Sequence, residues 1–513
     1  MTEIEAKFIV RRPEQVDEAL KVLSAHGFEI LERGEKTHVD RYFDTEDWSI
    51  LAADWACRVR RRDGEDKLTL KSLTGPDGSV FVREEISQPM VYEDVGLPFS
   101  LPSGPVRNRL AGIIDDTPVA ELFRVTSERT VYDIGRTGLE AVHIELDLDR
   151  SRIEAEKMTE KATGILEFTE LELELLSGDK ADLESVAVLL RDEAGLMPAH
   201  YSKFERGLQA AGLEIDSILE KSQAATLTED DPVLTLLYQY VAEQLQIIQR
   251  QHPRALEGID PEGVHQMRVA SRRLRAVLKA FRSILGDDVV LRFNAELRWL
   301  AQNLGRARDA DVTERGARDA EEADASHYEQ FLAQETITAY EHLIDVLESE
   351  RCATLEDDLK AYVAAGPPDG VREQFGALSI ATCADQLIHA ALNKLVTHGD
   401  AIAPDSPARQ LHKLRIETKR FRYLLDFFSS VQAEKWFQTT EALKRLQDIL
   451  GAHQDAVTAQ AQLAEYAASL PNDAEGREKL AATAQLLQVE AHKISESRQQ
   501  FNAAWSDFKN VLA

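Results

Sequence analysis

For its first two hundred residues the chain alternates polar and apolar side chains in one short segment after another. A chain patterned this way can bury only one face of each segment. Eight segments show the alternation: EIEAKFIV from Glu3, VDRYFDT from Val39, ACRVRRR from Ala56, KLTLKSL from Lys67, VFVREEI from Val80, ERTVYDI from Glu128, AVHIELDLD from Ala141 and FTELELELL from Phe168. A period of two signals half-buried antiparallel strands, and GPDG at 75–78 reads as a hairpin turn between two of them. Helical stretches interrupt the strands near 13–26 and 180–194. From about residue 229 the pattern changes to long Ala/Leu/Gln/Glu/Arg-rich segments of helical period, broken at GIDPEG, GPPDG and APDSP. The sequence predicts an antiparallel β domain followed by an all-helical one, with the boundary around 212–228.

The polar face of the strands carries both signs of charge at high density. Period two places Glu3, Glu5 and Lys7 together, then Arg58, Arg60 and Arg62, then Lys67, Thr69 and Lys71, then Arg83 and Glu85. Later strands add Glu145, Asp147 and Asp149, and finally Glu170, Glu172 and Glu174. A wet sheet face explains any single strand, but both signs of charge at this density across the whole face call for a ligand. If the sheet curls with this face inward, unpaired dry charges would be ruinous. A polyanion bound through metal ions resolves the conflict: Arg and Lys grip phosphate oxygens, while carboxylates hold a hard divalent cation. That is the equipment of phosphoryl transfer. Cys57, Cys352 and Cys383 have no neighbouring cue for activation, and His143 reads as a structural strand histidine, so direct attack by water is expected.

Composition narrows the setting. The 513 residues carry a formal net charge of −30, which argues against a surface that coats nucleic acid. Three widely separated cysteines provide neither a disulfide framework nor a CxxC metal knuckle. With no apolar run of spanning length, a soluble, cytoplasmic protein that does not enter a membrane is expected.

The opening ExExK of Glu3, Glu5 and Lys7, the RYFDT segment, the RVR of Arg58 and Arg60, the RxE of Arg83 and Glu85 and the late ELELEL strand resemble, in this order, the CYTH or triphosphate tunnel metalloenzyme family. The resemblance implies an eight-stranded antiparallel tunnel that hydrolyses or transfers the end phosphate of a linear triphosphate with Mg²⁺ or Mn²⁺. Carried onto this chain, it implies Glu5, Glu170 and Glu172 as principal metal ligands, with Glu3 and Asp149 facing the metal. Lys7, Arg58, Arg60, Lys67, Lys71, Arg83, Arg129 and Lys203 become triphosphate contacts, and Tyr42 stands near the reacting phosphate. The family places a further basic residue nearer Arg129 than Arg124 is, and Ser127 stands there, so one basic contact fewer, or one supplied differently, is expected.

The helical half repeats itself. Val264–Phe281 (VHQMRVASRRLRAVLKAF) overlays Leu411–Phe428 (LHKLRIETKRFRYLLDFF) at an offset of 147, and LGRARDADV from Leu304 overlays LGAHQDAVT from Leu450 at an offset of 146. This is duplication of a whole subdomain. On a helix His265, Arg268, Arg272 and Arg275 share one face, and His412, Arg415, Lys419 and Arg422 repeat it. A solvated face usually mixes signs, whereas these keep one sign. These segments resemble the CHAD family, which implies helical bundles related by a pseudo-twofold and a basic surface for inorganic polyphosphate. The implied binding set is completed by Arg306, Arg308 and His453. Ala452 and Gln454 replace Arg306 and Arg308 in the second repeat, so the two faces should bind unequally.

The fold class expected is therefore α+β: an eight-stranded antiparallel β-tunnel with flanking helices (residues 1–207), a linker (208–228), and an all-α domain of two pseudo-symmetric bundles (about 229–370 and 371–513). The expected activity is hydrolysis of tripolyphosphate to pyrophosphate and phosphate. Adenylyl cyclase, thiamine triphosphatase and a non-catalytic polyphosphate scaffold are the alternatives.

Overall fold

The computed structural model describes residues 2–512 apart from 63, 74–79, 91–102, 115–116, 137–141, 160–161, 216–217, 219–226, 319–325 and 404. The turn expected at 75–78 and most of the expected boundary at 212–228 lie outside the described residues. Two compact units emerge, Met1–Ala224 and Ala225–Ala513.

The first unit contains β1 (Thr2–Val10), α1 (Glu14–Ala25), β2 (Glu29–Thr45), α2 (Ser49–Ala52), β3 (Trp55–Arg62), β4 (Glu65–Ser72), β5 (Val80–Met90), α3 (Pro105–Ile114), β6 (Val119–Arg136), β7 (Val142–Ala155), β8 (Ile165–Ser177), α4 (Lys180–Asp192), β9 (Met197–Pro198) and α5 (Lys203–Ala210). The strands run β5-β4-β3-β2-β6-β7-β8-β1, and β5 pairs back onto β1. The eight long strands thus close into an antiparallel barrel, with β9 added alongside β1. Closure leaves each strand an inner and an outer face, so the alternation seen in the sequence becomes inside and outside.

The apolar faces point outward. Ala6, Phe8, Leu146, Leu171 and Leu173 pack under α1 and α4, against Leu23, Leu183, Val186 and Leu190. Cys57, Val59, Leu68 and Leu70 pack under α3, against Val106, Leu110 and Ile114. The hydrophobic cores therefore lie between wall and helices, and the lumen is left to the charges. Strands β2 and β6 are the longest, and their register slips between Glu32 and Gly34. Gly34 has φ +102°, a conformation that side chains resist, so the bulge is placed where glycine allows it.

The second unit is helical: α6 (Val233–Glu257), α7 (Pro261–Ala280), α8 (Arg282–Leu285), α9 (Asp287–Arg318), α10 (Ser326–Leu347), α11 (Glu350–Ala365), α12 (Asp369–Phe375), α13 (Ile380–Asp400), α14 (Ala408–Ser469) and α15 (Ala474–Leu512). Non-helical backbone at Gln432 kinks α14. One continuous apolar core runs from Val233 to Phe508 and draws on both sequence repeats. Phe281 and Phe428, equivalent at the 147-residue offset, face each other with ring centroids 6.4 Å apart. Equivalent residues meet each other only beside a twofold, so the pseudo-axis passes between α7 and α14. Among the described residues no helix is long and apolar enough to cross a membrane.

Candidate active site

The barrel lumen is a cavity of about 250 Å³ lined by Glu3, Glu5, Lys7, Tyr42, Arg58, Arg60, Lys67, Lys71, Arg83, Glu85, Arg129, Asp147, Glu172, Glu174 and Lys203, among others. Every cation carried over for phosphate contact is in this lining. Arg124 is not: it lies on the exposed face, paired with Glu121 at 3.1 Å. Ser127 is buried and shares a 2.8 Å hydrogen bond with Ser151, so no basic group takes that place. His143 also stands away from the lumen, 3.4 Å from Asp133.

Two charge clusters divide the lumen. In the first, Lys203 reaches Asp149 at 2.7 Å, Glu170 at 2.5 Å and Glu172 at 3.0 Å. Arg129 contacts Asp147, Asp149 and Glu172, and Lys7 contacts Glu172. Register explains the meeting: Asp149 lies across from Glu170 on β8 and from Arg129 on β6, and Glu172 across from Lys7 on β1. In the second cluster Glu5 pairs with Lys7 at 3.0 Å, Lys71 at 3.0 Å and Arg83 at 3.3 Å, and Lys71 also meets Glu3.

The potential metal ligands are sorted by this division. Asp149, Glu170 and Glu172 each offer a carboxylate oxygen within 4.8 Å of the others. Glu3 and Glu5 are not in that group, and Glu5 instead anchors the neighbouring cations. Asp149 thus lies in one acidic group with Glu170 and Glu172, and Glu5 is the partner of Lys7, Lys71 and Arg83. Both Glu170 oxygens are buried without a hydrogen-bond partner, although the Lys203 ammonium stands beside one of them. A hard dication suits these carboxylate oxygens, which are its preferred ligands.

Burial and charge act against each other on these groups. Burial alone would raise Glu5, but Lys7, Lys71 and Arg83 hold it down to about 2. For Asp147 and Glu174 burial wins, reinforced by neighbouring carboxylates, and both are pushed up to about 7. Glu170 is likewise raised, by burial first and Glu172 next, against the pull of Lys203. Burial keeps the Tyr42 phenol protonated despite Arg58.

A short helix sets Lys203. Ser202 and Glu205 form a reciprocal capping box, with the Ser202 amide donating to Glu205 Oε2 at 2.7 Å and the Glu205 amide to Ser202 Oγ at 3.3 Å. Lys203 is then the first residue of α5. Further along, a Cβ on Gly207 would lie 2.0 Å from Phe123 Cε2, so only glycine lets α5 rest on the Phe123 ring and set its own Phe204 against Tyr42 and Phe123.

The sequence reading passed over Asp40 and His38. Asp40 is fully buried and takes a two-pronged contact from Arg60 at 2.7 and 2.8 Å, with Arg58 at 3.5 Å. His38 is buried beside it, and burial together with Arg60 lowers its imidazole to about 3. Both share the parity of Tyr42 on β2, which was the available signal. The aspartate of RYFDT itself, Asp44, caps α2 by accepting from the amides of Ile50 at 3.0 Å and Leu51 at 2.9 Å.

In the helical unit the two basic faces converge. Burial and then Arg272, Arg415 and Arg268 lower Lys419 to about 7. Arg272 and Lys419 are equivalents across the pseudo-twofold, so the faces of the two repeats form one cluster there. Arg268 pairs with Asp309 at 3.1 Å and Arg415 with Asp455 at 4.0 Å, the same contact in each repeat. Arg275 is lowered by burial, then by Arg298, Arg420 and Arg272, and Arg422 donates to Gln447 at 2.7 Å. His265 is half-buried on α7, Arg306 is exposed and Arg308 half-buried on α9, and His412 is exposed with Nδ1 2.7 Å from Gln454 Oε1. His453 departs from the expected set. It is buried, with Nδ1 3.0 Å from Ser497 Oγ, because it occupies the position of core-facing Ala307 in the first repeat.

A closed antiparallel tunnel whose lumen holds a carboxylate trio among cations, followed by a helical domain with a duplicated basic helix, defines a two-domain class. Residues 1–208 match the CYTH domain and residues 239–464 the CHAD domain, so the chain belongs to the proteins that join these two families. It is 26% identical over 490 residues to an uncharacterised protein of Mycobacterium tuberculosis, covering 90% of this chain and 88% of that one. The CHAD domain from the plant Ricinus communis is 28% identical, with 56% of this chain and 95% of that chain covered and a TM-score of 0.47. The capping-enzyme triphosphatase of Mimivirus is 15% identical, covering 38% and 90% of the two chains with a TM-score of 0.22.

Proposed function

We propose that the tunnel is a metal-dependent inorganic triphosphatase that cleaves tripolyphosphate to pyrophosphate and phosphate, and that the basic helical cluster holds longer polyphosphate. The grouping of Asp149, Glu170 and Glu172 against Lys7, Arg129 and Lys203 carries this reading. Asp149, Glu170 and Glu172 would hold Mg²⁺ or Mn²⁺, which when bound neutralises phosphate oxygens and activates water.

The chain's own cations do the positioning. Lys7, Arg129 and Lys203 now contact carboxylates; a phosphate chain supplies alternative oxygens for the same donors. Arg58, Arg60, Lys67, Lys71 and Arg83 continue the basic lining and fix the remaining phosphates in line. Charge complementarity at a preformed site is the main catalytic means for phosphoryl transfer. Water is the nucleophile: Cys57 faces the outer core, and burial pushes its thiol up to about 12.

An inorganic substrate is favoured over a nucleotide because, among the described residues, the aromatic surface in the lining is confined to Tyr42 and Phe204. Phosphate release from tripolyphosphate, ATP and thiamine triphosphate, each with Mg²⁺ and with Mn²⁺, tests the choice. Tripolyphosphate is expected to turn over fastest; faster release from ATP or thiamine triphosphate would move the assignment to that substrate.

A further inference from the structure

We propose that His252, Cys352 and Glu356 form a metal site in the helical unit that takes a borderline-soft dication of the Zn²⁺ type. Cys352 and Glu356 lie one turn apart on α11, so their side chains share a face, and His252 meets them from α6. Each offers one ligand atom within 4.8 Å of the others, and His252 Nδ1 stands 2.8 Å from Glu356 Oε1. Bond lengths of about 2.0 to 2.3 Å hold tetrahedral ligands roughly 3.5 Å apart, so small side-chain rotations close the site.

The donor set selects the ion. A thiolate, an imidazole and a carboxylate together suit Zn²⁺ and discriminate against Mg²⁺, which prefers oxygen alone. The tunnel group of Asp149, Glu170 and Glu172 is all oxygen, so the two sites differ in the cation they prefer. Cys352 is fully buried, whereas the His252 and Glu356 side chains keep 20% and 16% of their exposure. Solvent therefore reaches the site from one side, and water completes the fourth position. On binding, the Cys352 thiol gives its proton to solvent, and the thiolate, imidazole and carboxylate each donate a lone pair. The ion then clips the end of α6 to the start of α11 and stabilises the folded unit, since the unfolded chain holds these residues apart.

The full-length protein, stripped of metal and kept in excess Mg²⁺, is titrated with Co²⁺ while near-ultraviolet thiolate-to-cobalt absorption is followed. All-oxygen ligation in the tunnel gives no such band. The band is expected to saturate at one equivalent, to vanish in Cys352→Ser, and to need at least about tenfold more Co²⁺ in Glu356→Gln, since even outer-shell changes cost about 10 to 100-fold. Zn²⁺ is expected to displace Co²⁺ and to raise the melting temperature of wild type but not of Cys352→Ser. Glu356→Gln is nearly isosteric, so it keeps the test valid if the buried serine impairs folding. Absence of the band in wild type, its persistence in Cys352→Ser, or an unchanged titration in Glu356→Gln overturns the proposal. Tripolyphosphate hydrolysis by Cys352→Ser is expected to be unchanged, which separates this site from the tunnel.

Discussion

Asp40 shows how the lumen keeps its arginines ready. It is fully buried and gathers Arg60 and Arg58, and those guanidiniums pull its carboxyl well below the ordinary range against the cost of burial. Removing one partner of such a buried group strands the other charges, at about 3 to 5 kcal/mol. Asp40→Ala is therefore expected to lower unfolding free energy by that amount in urea and to raise KM for tripolyphosphate, as Arg60 loses its fixed orientation. A stability change under about 1 kcal/mol would show that the arginines repair themselves with water. Parity on β2 made Asp40 legible, because it sits two residues from Tyr42. What parity could not tell is which acids meet which cations. That depends on strand register around a closed barrel, and so Asp149 joined Glu170 and Glu172 while Glu5 turned to Lys71 and Arg83.

At the scale of elements, the eight strands and the outer helices α1 and α4 were readable because period two and period 3.6 are local properties, whereas the outer helix α3 was not read. The meeting of α7 and α14 was not, since sequence repetition says that two faces are alike and nothing about their distance. The structure joins them, and crowding has a titratable consequence. Burial, then Arg272, Arg415 and Arg268, outweigh the pull of Asp455 and leave Lys419 at about 7. A lysine lowered in the free protein is protonated below that pH and neutral above it, and a bound polyanion favours the charged form. Polyphosphate affinity is thus expected to fall as pH rises through about 7 to 9, by up to about tenfold per unit for one proton. Lys419→Arg keeps its charge and should flatten that fall at constant ionic strength, whereas His265 and His412 remain in both proteins. An equal slope in the two proteins would remove Lys419 from the binding cluster.

For the whole molecule, the proposed function assigns two kinds of anion recognition to the two units. Reversing Arg268, Arg272, Arg415 and Arg422 to Glu is expected to abolish retention of long polyphosphate and its steep salt dependence, because affinity for a dense line of charge rests on several cations and on counterion release, by analogy with nucleic-acid backbones. Tripolyphosphate turnover should persist, as none of the four lies in Met1–Ala224. Retention with the original salt slope would make these faces ordinary solvated surface. His453, placed with the basic set by the family resemblance, is buried against Ser497, and its equivalent in the first repeat is the core-facing Ala307. The tunnel rests on a narrower point, the trio of acids on β7 and β8. Phosphate release from tripolyphosphate is to be measured against Mg²⁺ and Mn²⁺ concentration for wild type and Glu170→Gln, a change that keeps shape and removes charge. Wild type is expected to require the metal, and Glu170→Gln to lose at least about 100-fold in rate at limiting metal while unfolding normally, a loss at the upper end of outer-shell effects or beyond. Near wild-type turnover in Glu170→Gln, or turnover by wild type without any divalent ion, would contradict a metal site built on Asp149, Glu170 and Glu172.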